Sequence, residues 1–242
     1  MEKINKLKKF FKTFNIDGYI VPKNNEYFGE YIDEEEDNLK FISDFSGSYG
    51  FAVILKKTNY LFVDGRYTLQ AHSQSSKKFK IVTIPKKMPS HVLKKEFVIG
   101  YDPKIHNEFN LKKVFNGAGC KLKKIKDNLI IRIKPKKPKK KVKKFFILSD
   151  KAVGKNTNQK VKIIIKNLKK NKVDLHFVSD PENVAWLLNI RGKDSPYSPI
   201  PNCRLLLGVN GKKTFFCNKN KINKFFVKKF KDMTFVDESL IE

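Results

Sequence analysis

The sequence has 242 residues, of which 40% are hydrophobic and 12% aromatic, so its composition excludes a disordered chain and its length allows one large domain or two modest ones. Its formal net charge is +28, and 48 of its 52 basic residues are lysines spread along the chain. Because nucleic-acid sites favour clustered basic residues and the bidentate contacts of arginine, we interpret this excess as compositional drift rather than as a dedicated nucleic-acid interface.

The cysteines and histidines give no sign of a disulfide framework or a metal site. The three cysteines are widely spaced and form no CxxC pair, and the four histidines show no ligand spacing. We therefore predict a reducing, cytoplasmic environment. The first 21 residues lack the continuous apolar core of a signal peptide, and no apolar run reaches the length of about 18 residues that a membrane span needs.

The first half of the chain predicts a helix, a strand and a hairpin in that order. Apolar residues recur at helical spacing over residues 4–14, and the run 19–21 after Asp17-Gly18 indicates a strand. The β-rich runs 51–55 and 60–63, separated by a short polar loop, predict a hairpin. A helix is expected to follow over residues 67–73.

The second half predicts the same order of elements. A helical stripe covers residues 161–168, and the run 173–178 indicates a strand. Asp180 and Pro181 then form a helix-start signal. Asn210-Gly211, between two apolar runs, is a strong hairpin signal.

The two halves overlay at an offset of about 157 residues, which places Asp17 opposite Asp174. This offset predicts two related α/β domains. The lysine- and proline-rich run 134–144 is the expected linker between domains 1–133 and 145–242. Such a run is also compatible with a nuclear-localisation or nucleic-acid tract, but between two folded units it more often connects them.

Two segments carry the candidate functional residues. Asp64 is expected to cap a helix and to form a bidentate ion pair with Arg66. We interpret Asp64, Arg66 and Tyr67 as structural residues. Trp186 is expected to anchor its helix in the core. The polar, proline-containing loop after it offers candidates for a substrate cleft, namely Arg191, Asp194 and Tyr197. An ordinary surface ion pair between Arg191 and Asp194 remains the alternative.

Several motifs together resemble the N-terminal domains of Xaa-Pro aminopeptidases (aminopeptidase P), which belong to the creatinase/prolidase N-terminal type. The motifs are DGYIVP at 17–22, FISDFSGSYG at 41–50, VDGRYTLQA at 63–71, IGYDP at 99–103 and ENVAWLLNIRGKDSPYSP at 182–199. The resemblance covers nearly the whole chain and implies that each of the two α/β domains is a mixed sheet flanked by helices. The acidic run 33–37 and the segment 128–138 depart from the family pattern, which affects the expected packing near the linker.

The resemblance implies that chemistry resides in a third, metal-binding domain that this sequence does not include. In the family, that domain uses two divalent metal ions, manganese or zinc, to hydrolyse the bond before a proline in the second position. We therefore expect no catalytic and no metal-ligating residue here, and no activity of the chain alone. The expected partners are the catalytic domain of the same enzyme, a second copy in a homodimer and the peptide substrate, but not a membrane or nucleic acid.

A second hypothesis belongs to a different class. The chain is then a free-standing basic binding or scaffold module, whose lysines hold an acidic partner or nucleic acid. Whether the gene continues into a metal-binding domain distinguishes the two hypotheses.

Overall fold

The computed structural model describes residues 1–93, 96–135 and 142–241. The chain divides into two compact units, Met1–Lys137 and Pro138–Glu242. Part of the predicted linker, residues 136–141, lies outside the described residues, and its boundaries therefore stay a prediction. No helix within the described ranges is long and apolar enough to cross a membrane.

The first unit contains a six-stranded mixed sheet. Its strands are β1 (Gly18–Pro22), β2 (Phe51–Leu55), β3 (Asn59–Asp64), β4 (Lys80–Ile84), β5 (Val98–Tyr101) and β6 (Lys121–Lys124). They follow the order β4-β3-β2-β1-β5-β6, in which β1, β2 and β3 pair antiparallel and the other neighbours pair parallel. Its helices are α1 (Glu2–Lys8), α2 (Phe10–Thr13), α3 (Asn38–Ser43), α4 (Thr68–Ser75), α5 (Glu108–Val114) and α6 (Leu129–Ile133).

The predicted N-terminal helix is observed as α1 and α2. Only Lys9 separates them, and its backbone is itself right-handed helical, so the apolar stripe of Ile4, Leu7 and Phe11 is buried as one surface. Asn15 ends this region in the left-handed conformation at φ 48°. The predicted hairpin is confirmed as β2 and β3.

Both faces of the first sheet are buried. One face packs against α1, α3 and α6, with Tyr19, Ala52 and Leu61 among its buried residues. The other face is covered by the segment that follows β4. This second face comprises Ile20, Val53, Phe62 and Val82, which pack with Leu111 and Phe115.

The second unit contains a four-stranded sheet and a two-stranded one. Its strands are β7 (Phe146–Ile147), β8 (Leu175–Val178), β9 (Ile190–Arg191), β10 (Arg204–Gly208), β11 (Lys213–Cys217) and β12 (Met233–Asp237). Its helices are α7 (Thr157–Lys170), α8 (Pro181–Leu188) and α9 (Lys224–Lys229). The larger sheet has the order β12-β11-β10-β8, and β7 pairs with β9.

The prediction of two related α/β domains with mixed sheets is confirmed. Strands β8, β10, β11 and β12 repeat the order and the pairing directions of β1, β2, β3 and β4. The match extends to single hydrogen bonds, because Lys56 N–H donates to the Asp17 carbonyl and Val209 N–H donates to the Asp174 carbonyl. Asp17 and Asp174 are the residues that the sequence overlay places opposite each other.

The two units differ in how their second sheet faces are covered. In unit 2 the residues at the positions of Ile20, Val53, Phe62 and Val82 are Phe177, Leu206, Phe216 and Val236. None of these four side chains is fully buried. We call them, together with Leu175, the open face.

Candidate functional site

Trp186 is not a core residue, and the prediction that it anchors its helix in the core is wrong. The inner face of α8 consists of Val184, Leu187 and Leu188, all buried, whereas Trp186 is 59% exposed. At about 100° per residue, Trp186 lies roughly 200° from both Val184 and Leu188. A wholly apolar run such as AWLL therefore still leaves one side chain facing outward.

The exposed indole is contacted by Lys160 from α7. The Lys160 ammonium lies 4.3 Å from the centre of a Trp186 ring and donates to the Trp186 carbonyl. It also donates to Asn189 Oδ1 at 2.5 Å. Burial, with a smaller contribution from the Arg191 charge, lowers the pKa of Lys160. A cation is thus held at the C-terminus of α8, where the helix dipole favours positive charge.

Arg191 binds backbone rather than Asp194. Its guanidinium Nη1 donates to the Ile190 carbonyl at 2.8 Å and to the Ala185 carbonyl at 3.3 Å. The Ala185 carbonyl lies in the last turn of α8 and also accepts from the Asn189 N–H that caps the helix. Arg191 therefore stabilises the turn that leads from α8 into β9.

Asp194 forms a largely buried ion pair with Lys221. The two charged groups are 3.0 Å apart, and their side chains are only 12% and 13% exposed. Asp194 also accepts from the Asn202 N–H at 2.7 Å. The structure thus pairs Asp194 with a lysine that the sequence analysis did not single out, instead of with Arg191.

The loop 192–201 is closed by its own backbone. Gly192 N–H donates to the Pro199 carbonyl at 3.0 Å. A Cβ atom at Gly192 would lie 2.6 Å from the backbone of Pro201, so the close approach requires glycine. Tyr197 lies at the tip and is 81% exposed. The loop therefore presents a large aromatic side chain from a fixed backbone.

Asp64, Arg66 and Tyr67 form a local cluster in unit 1. Asp64 caps the short 3-10 helix Gly65–Tyr67 by accepting from the Arg66 N–H at 2.9 Å, and it pairs with the Arg66 guanidinium at 2.7 Å. The hydrogen bond from Arg66 lowers the pKa of Asp64. Tyr67 lies 2.7 Å from the Ser48 hydroxyl and packs edge-on against Phe45. The cluster holds the FSGS turn against the end of β3.

A cavity of about 200 Å³ in unit 1 was not anticipated from the sequence. It is lined mostly by apolar side chains of β1, β2 and α5, together with His106. His106 Nδ1 donates to the Asp102 carbonyl at 2.8 Å, and its buried Nε2 has no partner among the described residues. Burial lowers the pKa of His106 to about 4, so the ring is neutral at pH 7.

The cysteines are all free, and their surroundings differ. Cys203 and Cys217 are buried in unit 2, and burial raises the pKa of Cys217 to about 12 and that of Cys203 well above the usual range. Cys120 in unit 1 is partly exposed. Within the described part of the chain, His, Cys, Asp and Glu side chains form no group of three or more that fits a metal ion.

The two α/β units and their motif-bearing turns define a tandem of N-terminal domains. Residues 3–132 match one model of the creatinase/prolidase N-terminal domain, and residues 136–239 match a second model of the same description. The chain belongs to the creatinase/prolidase N-terminal domain family.

Relatives of this chain are named Xaa-Pro aminopeptidases. Xaa-Pro aminopeptidase 1 of Dictyostelium discoideum is 32% identical over 92% of this chain but only 38% of its own length. A crystal structure of X-prolyl aminopeptidase from Caenorhabditis elegans, described as a cytosolic enzyme with a di-nuclear active site, is 25% identical and covers 98% of this chain with a TM-score of 0.89. This chain covers 42% of that structure. The resemblance drawn from the motifs is confirmed, and the chain spans about two fifths of these relatives.

Proposed function

We propose that this chain is the N-terminal, non-catalytic part of an Xaa-Pro aminopeptidase, where it shapes the substrate cleft and supports dimerisation. The observation that carries the proposal is the similarity of both units, over 98% of the chain, to less than half of the C. elegans enzyme. Removal of an N-terminal residue that precedes proline then belongs to the remaining part of the enzyme, with its two divalent metal ions, manganese or zinc.

The loop 192–201 is the segment that we assign to the cleft. Its backbone is held by the Asp194–Lys221 ion pair and by the approach of Gly192 to Pro201. A rigid loop positions a binding side chain at a lower entropic cost than a mobile one. The exposed Tyr197 is therefore our candidate for contact with the peptide or with the catalytic domain, and Arg191 and Asp194 hold the backbone on which it is placed.

A chimera tests the proposal. This chain replaces the matching N-terminal part of the Dictyostelium relative, and hydrolysis of peptides with proline in the second position is measured with Mn²⁺. We expect the chimera to be more active than the relative truncated to its catalytic part. Equal activity of the two proteins, with the chimera folded, would contradict the proposal.

Variants of the same chimera test the loop. We expect Tyr197→Ala to raise KM for these peptides, because it removes a contact without disturbing the core. Leu69→Ala is the matched control, since Leu69 is 86% exposed on α4 of unit 1. If both variants behave alike, Tyr197 is not part of the cleft.

The domain limits and the cellular compartment of the protein are part of the same proposal. We place the domains at 1–133 and 145–242 with a linker over 134–144, and trypsin is expected to cut first within this lysine-rich run.

We propose a cytoplasmic location because the three cysteines are free and the C. elegans relative is described as cytosolic.

The high positive charge is the observation that favours the second candidate function. With a net charge of +28, a free-standing module for an acidic partner or nucleic acid remains the alternative. Sequence-selective binding to nucleic acid that persists at physiological salt distinguishes it from the first proposal.

A further inference from the structure

We propose that Cys203 and Cys217 form a redox modification site, at which a small-molecule disulfide such as oxidised glutathione converts the two thiols into an intramolecular disulfide. This bond locks unit 2. The inference goes beyond the proposed function and does not rest on it, because the bond and its effect on unfolding are measured on this chain itself.

The register of the hairpin formed by β10 and β11 places the two cysteines opposite each other. Arg204 pairs with Phe216, and Cys203 and Cys217 are the next residues away from the hairpin turn on the two sides. Both cysteines belong to the buried side-chain cluster of unit 2, so they lie on the same inward face of the sheet. Burial above all, with a smaller contribution from Cys217, raises the pKa of Cys203, as expected for neighbouring thiols.

The two cysteines occupy a non-hydrogen-bonded position of the ladder. Gly208 N–H donates to the Lys212 carbonyl at 2.9 Å, so these two residues form a hydrogen-bonded pair beside the turn. The two kinds of pair alternate along an antiparallel ladder, and Cys203 precedes Gly208 by five positions, so its pair is of the other kind. In such a pair the Cα atoms are about 4.5 Å apart, within the range of roughly 4.4 to 6.8 Å that a disulfide spans.

The related positions of unit 1 support this closeness. In the hairpin of β2 and β3, Gly50 and Val63 stand where unit 2 has the two cysteines. A Cβ atom at Gly50 would lie 3.2 Å from Val63 Cγ1. Side chains at this position of the ladder therefore come into direct contact, and in unit 2 both of them are thiols.

The oxidation consists of two thiol–disulfide exchanges. One cysteine thiolate attacks a sulfur of oxidised glutathione, whose S–S bond breaks, and one glutathione thiolate leaves. The second cysteine thiolate then attacks the protein sulfur of the mixed disulfide and releases the other glutathione. The two cysteines together lose two electrons and two protons, and one molecule of oxidised glutathione becomes two molecules of reduced glutathione.

Burial makes this exchange slow. Cys203 and Cys217 are both inaccessible to solvent, and their raised pKa values leave little thiolate at pH 7. The same burial protects the disulfide from reductants once it has formed. The pair therefore responds to sustained oxidation rather than to brief changes in the glutathione balance.

The disulfide joins two segments that are otherwise linked by an ion pair. Cys203 directly follows Asn202, whose N–H donates to Asp194. Lys221, the partner of Asp194, lies four residues after Cys217. Closing a ring of about 15 residues restricts the unfolded chain, so we expect the unfolding equilibrium constant of unit 2 to fall on the order of 100-fold.

Oxidation of a Cys120→Ser chain tests the pairing, because this background leaves only the two buried thiols. The chain is equilibrated with oxidised glutathione in urea just below the unfolding midpoint and digested with trypsin without reductant. Cys203 lies in the tryptic peptide 194–204 and Cys217 in the peptide 214–219. We expect these two peptides to be linked, and the intact monomer to have lost two hydrogen atoms.

Urea unfolding tests the lock. Trp186, the only tryptophan, reports the unfolding of unit 2 by its fluorescence. We expect the oxidised chain to have an unfolding constant about 100-fold below that of the reduced chain, and dithiothreitol to abolish the difference. Cys217→Val in the same background is the matched control, which keeps Cys203 and is expected to gain no stability on oxidation. Circular dichroism establishes that the variants are folded.

Three results would overturn the proposal. The first is glutathione bound to the separate cysteines with no linked peptides, and the second is thiols that stay free throughout. The third is a linked chain that is no more stable than the reduced one. None of these measurements involves peptide hydrolysis, so failure here is distinct from failure of the proposed function.

Discussion

The Lys221 ammonium lies 3.0 Å from the Asp194 carboxylate, with both side chains almost withdrawn from solvent. Lys221 ends the short helix Lys219–Lys221 that follows β11, whereas Asp194 belongs to the loop after β9. The ion pair thus fixes that loop to a separate part of unit 2. Arg191 is not part of this pair and instead donates to the carbonyl groups of Ala185 in α8 and Ile190 in β9.

Removing the carboxylate is expected to cost more stability than removing the arginine. Asp194→Ala leaves Lys221 charged and largely buried, at a cost of about 3 kcal/mol in the free energy of unfolding. Arg191→Ala removes two backbone hydrogen bonds from a partly exposed group, at a cost of about 1 kcal/mol. Urea unfolding measures both values. Glu2→Ala, in an exposed ion pair with Lys6, is the control, and equal losses for all three variants would contradict the assignment.

Truncation of Trp186 is expected to be mild. Because the indole is mostly exposed, Trp186→Ala should lower the free energy of unfolding by about 1 kcal/mol or less. Leu187→Ala, one residue further along α8 and buried, should cost about 2 to 5 kcal/mol. Circular dichroism in urea is the measurement, since the chain has only one tryptophan and fluorescence is lost in the variant. If Trp186→Ala lowers the free energy of unfolding more than Leu187→Ala does, Trp186 belongs to the core.

His106 is expected to make unit 1 less stable at mildly acidic pH. Its pKa is about 4 in the folded chain and about 6.5 when unfolded, so the unfolded state binds the proton first as pH falls. The stability that the neutral ring contributes is present above pH 6.5 and is lost as pH falls through about 4, with a loss of up to about 3 kcal/mol.

Urea unfolding between pH 7 and pH 4 measures this effect. His106→Phe should flatten the dependence on pH in that window, whereas His72→Gln, at an exposed position of α4, should leave it unchanged. Acidic groups whose pKa is lowered, such as Asp17 and Asp64, lose their contribution mainly below this window. An unchanged profile in His106→Phe would assign the pH dependence to other groups.

The purified chain is expected not to cleave Xaa-Pro peptides. The residues that the structure describes contain no cluster able to hold two metal ions, and a two-metal site needs ions about 3.5 to 4 Å apart. Peptide cleavage followed by mass spectrometry with added Mn²⁺ is the measurement. Proline-directed cleavage that a chelator abolishes would reveal a site that this reasoning missed.

Nucleic-acid binding is expected to be weak, indifferent to sequence and steeply dependent on salt. Lysines supply phosphate contacts but little base readout, so affinity should fall sharply as counterions compete. Fluorescence anisotropy with two unrelated DNA duplexes, at low and at physiological salt, is the measurement. Selective binding that persists at physiological salt would favour the binding-module alternative.

The sequence predicted the architecture well because its signals are local or periodic. The hairpins depend on short turns such as Asn210-Gly211, and the relation between units depends on the repeated position of Asp17 and Asp174. Trp186 was misplaced because an apolar run on a helix does not say which of its members faces outward. Only the positions of α7 and the sheet decide that.

The side-chain partners were not predictable for a different reason. In a chain with 48 lysines, nothing in the sequence distinguishes Lys160 and Lys221, which are bound to specific groups, from lysines that are merely solvated. Asp194 and Lys221 are 27 residues apart, and their contact depends on how β9, β10 and β11 are arranged. Likewise, the cavity beside His106 is created by three segments that are distant in sequence.

The distribution of thiols gives unit 2 a chemical reporter of its own opening. Cys120 lies in unit 1, whereas Cys203 and Cys217 are sealed within unit 2. A thiol reagent in native buffer therefore reaches the partly exposed Cys120 first and the two buried thiols only when unit 2 opens. The kinetics of alkylation, resolved by peptide mass, report how often unit 2 opens without any engineered label.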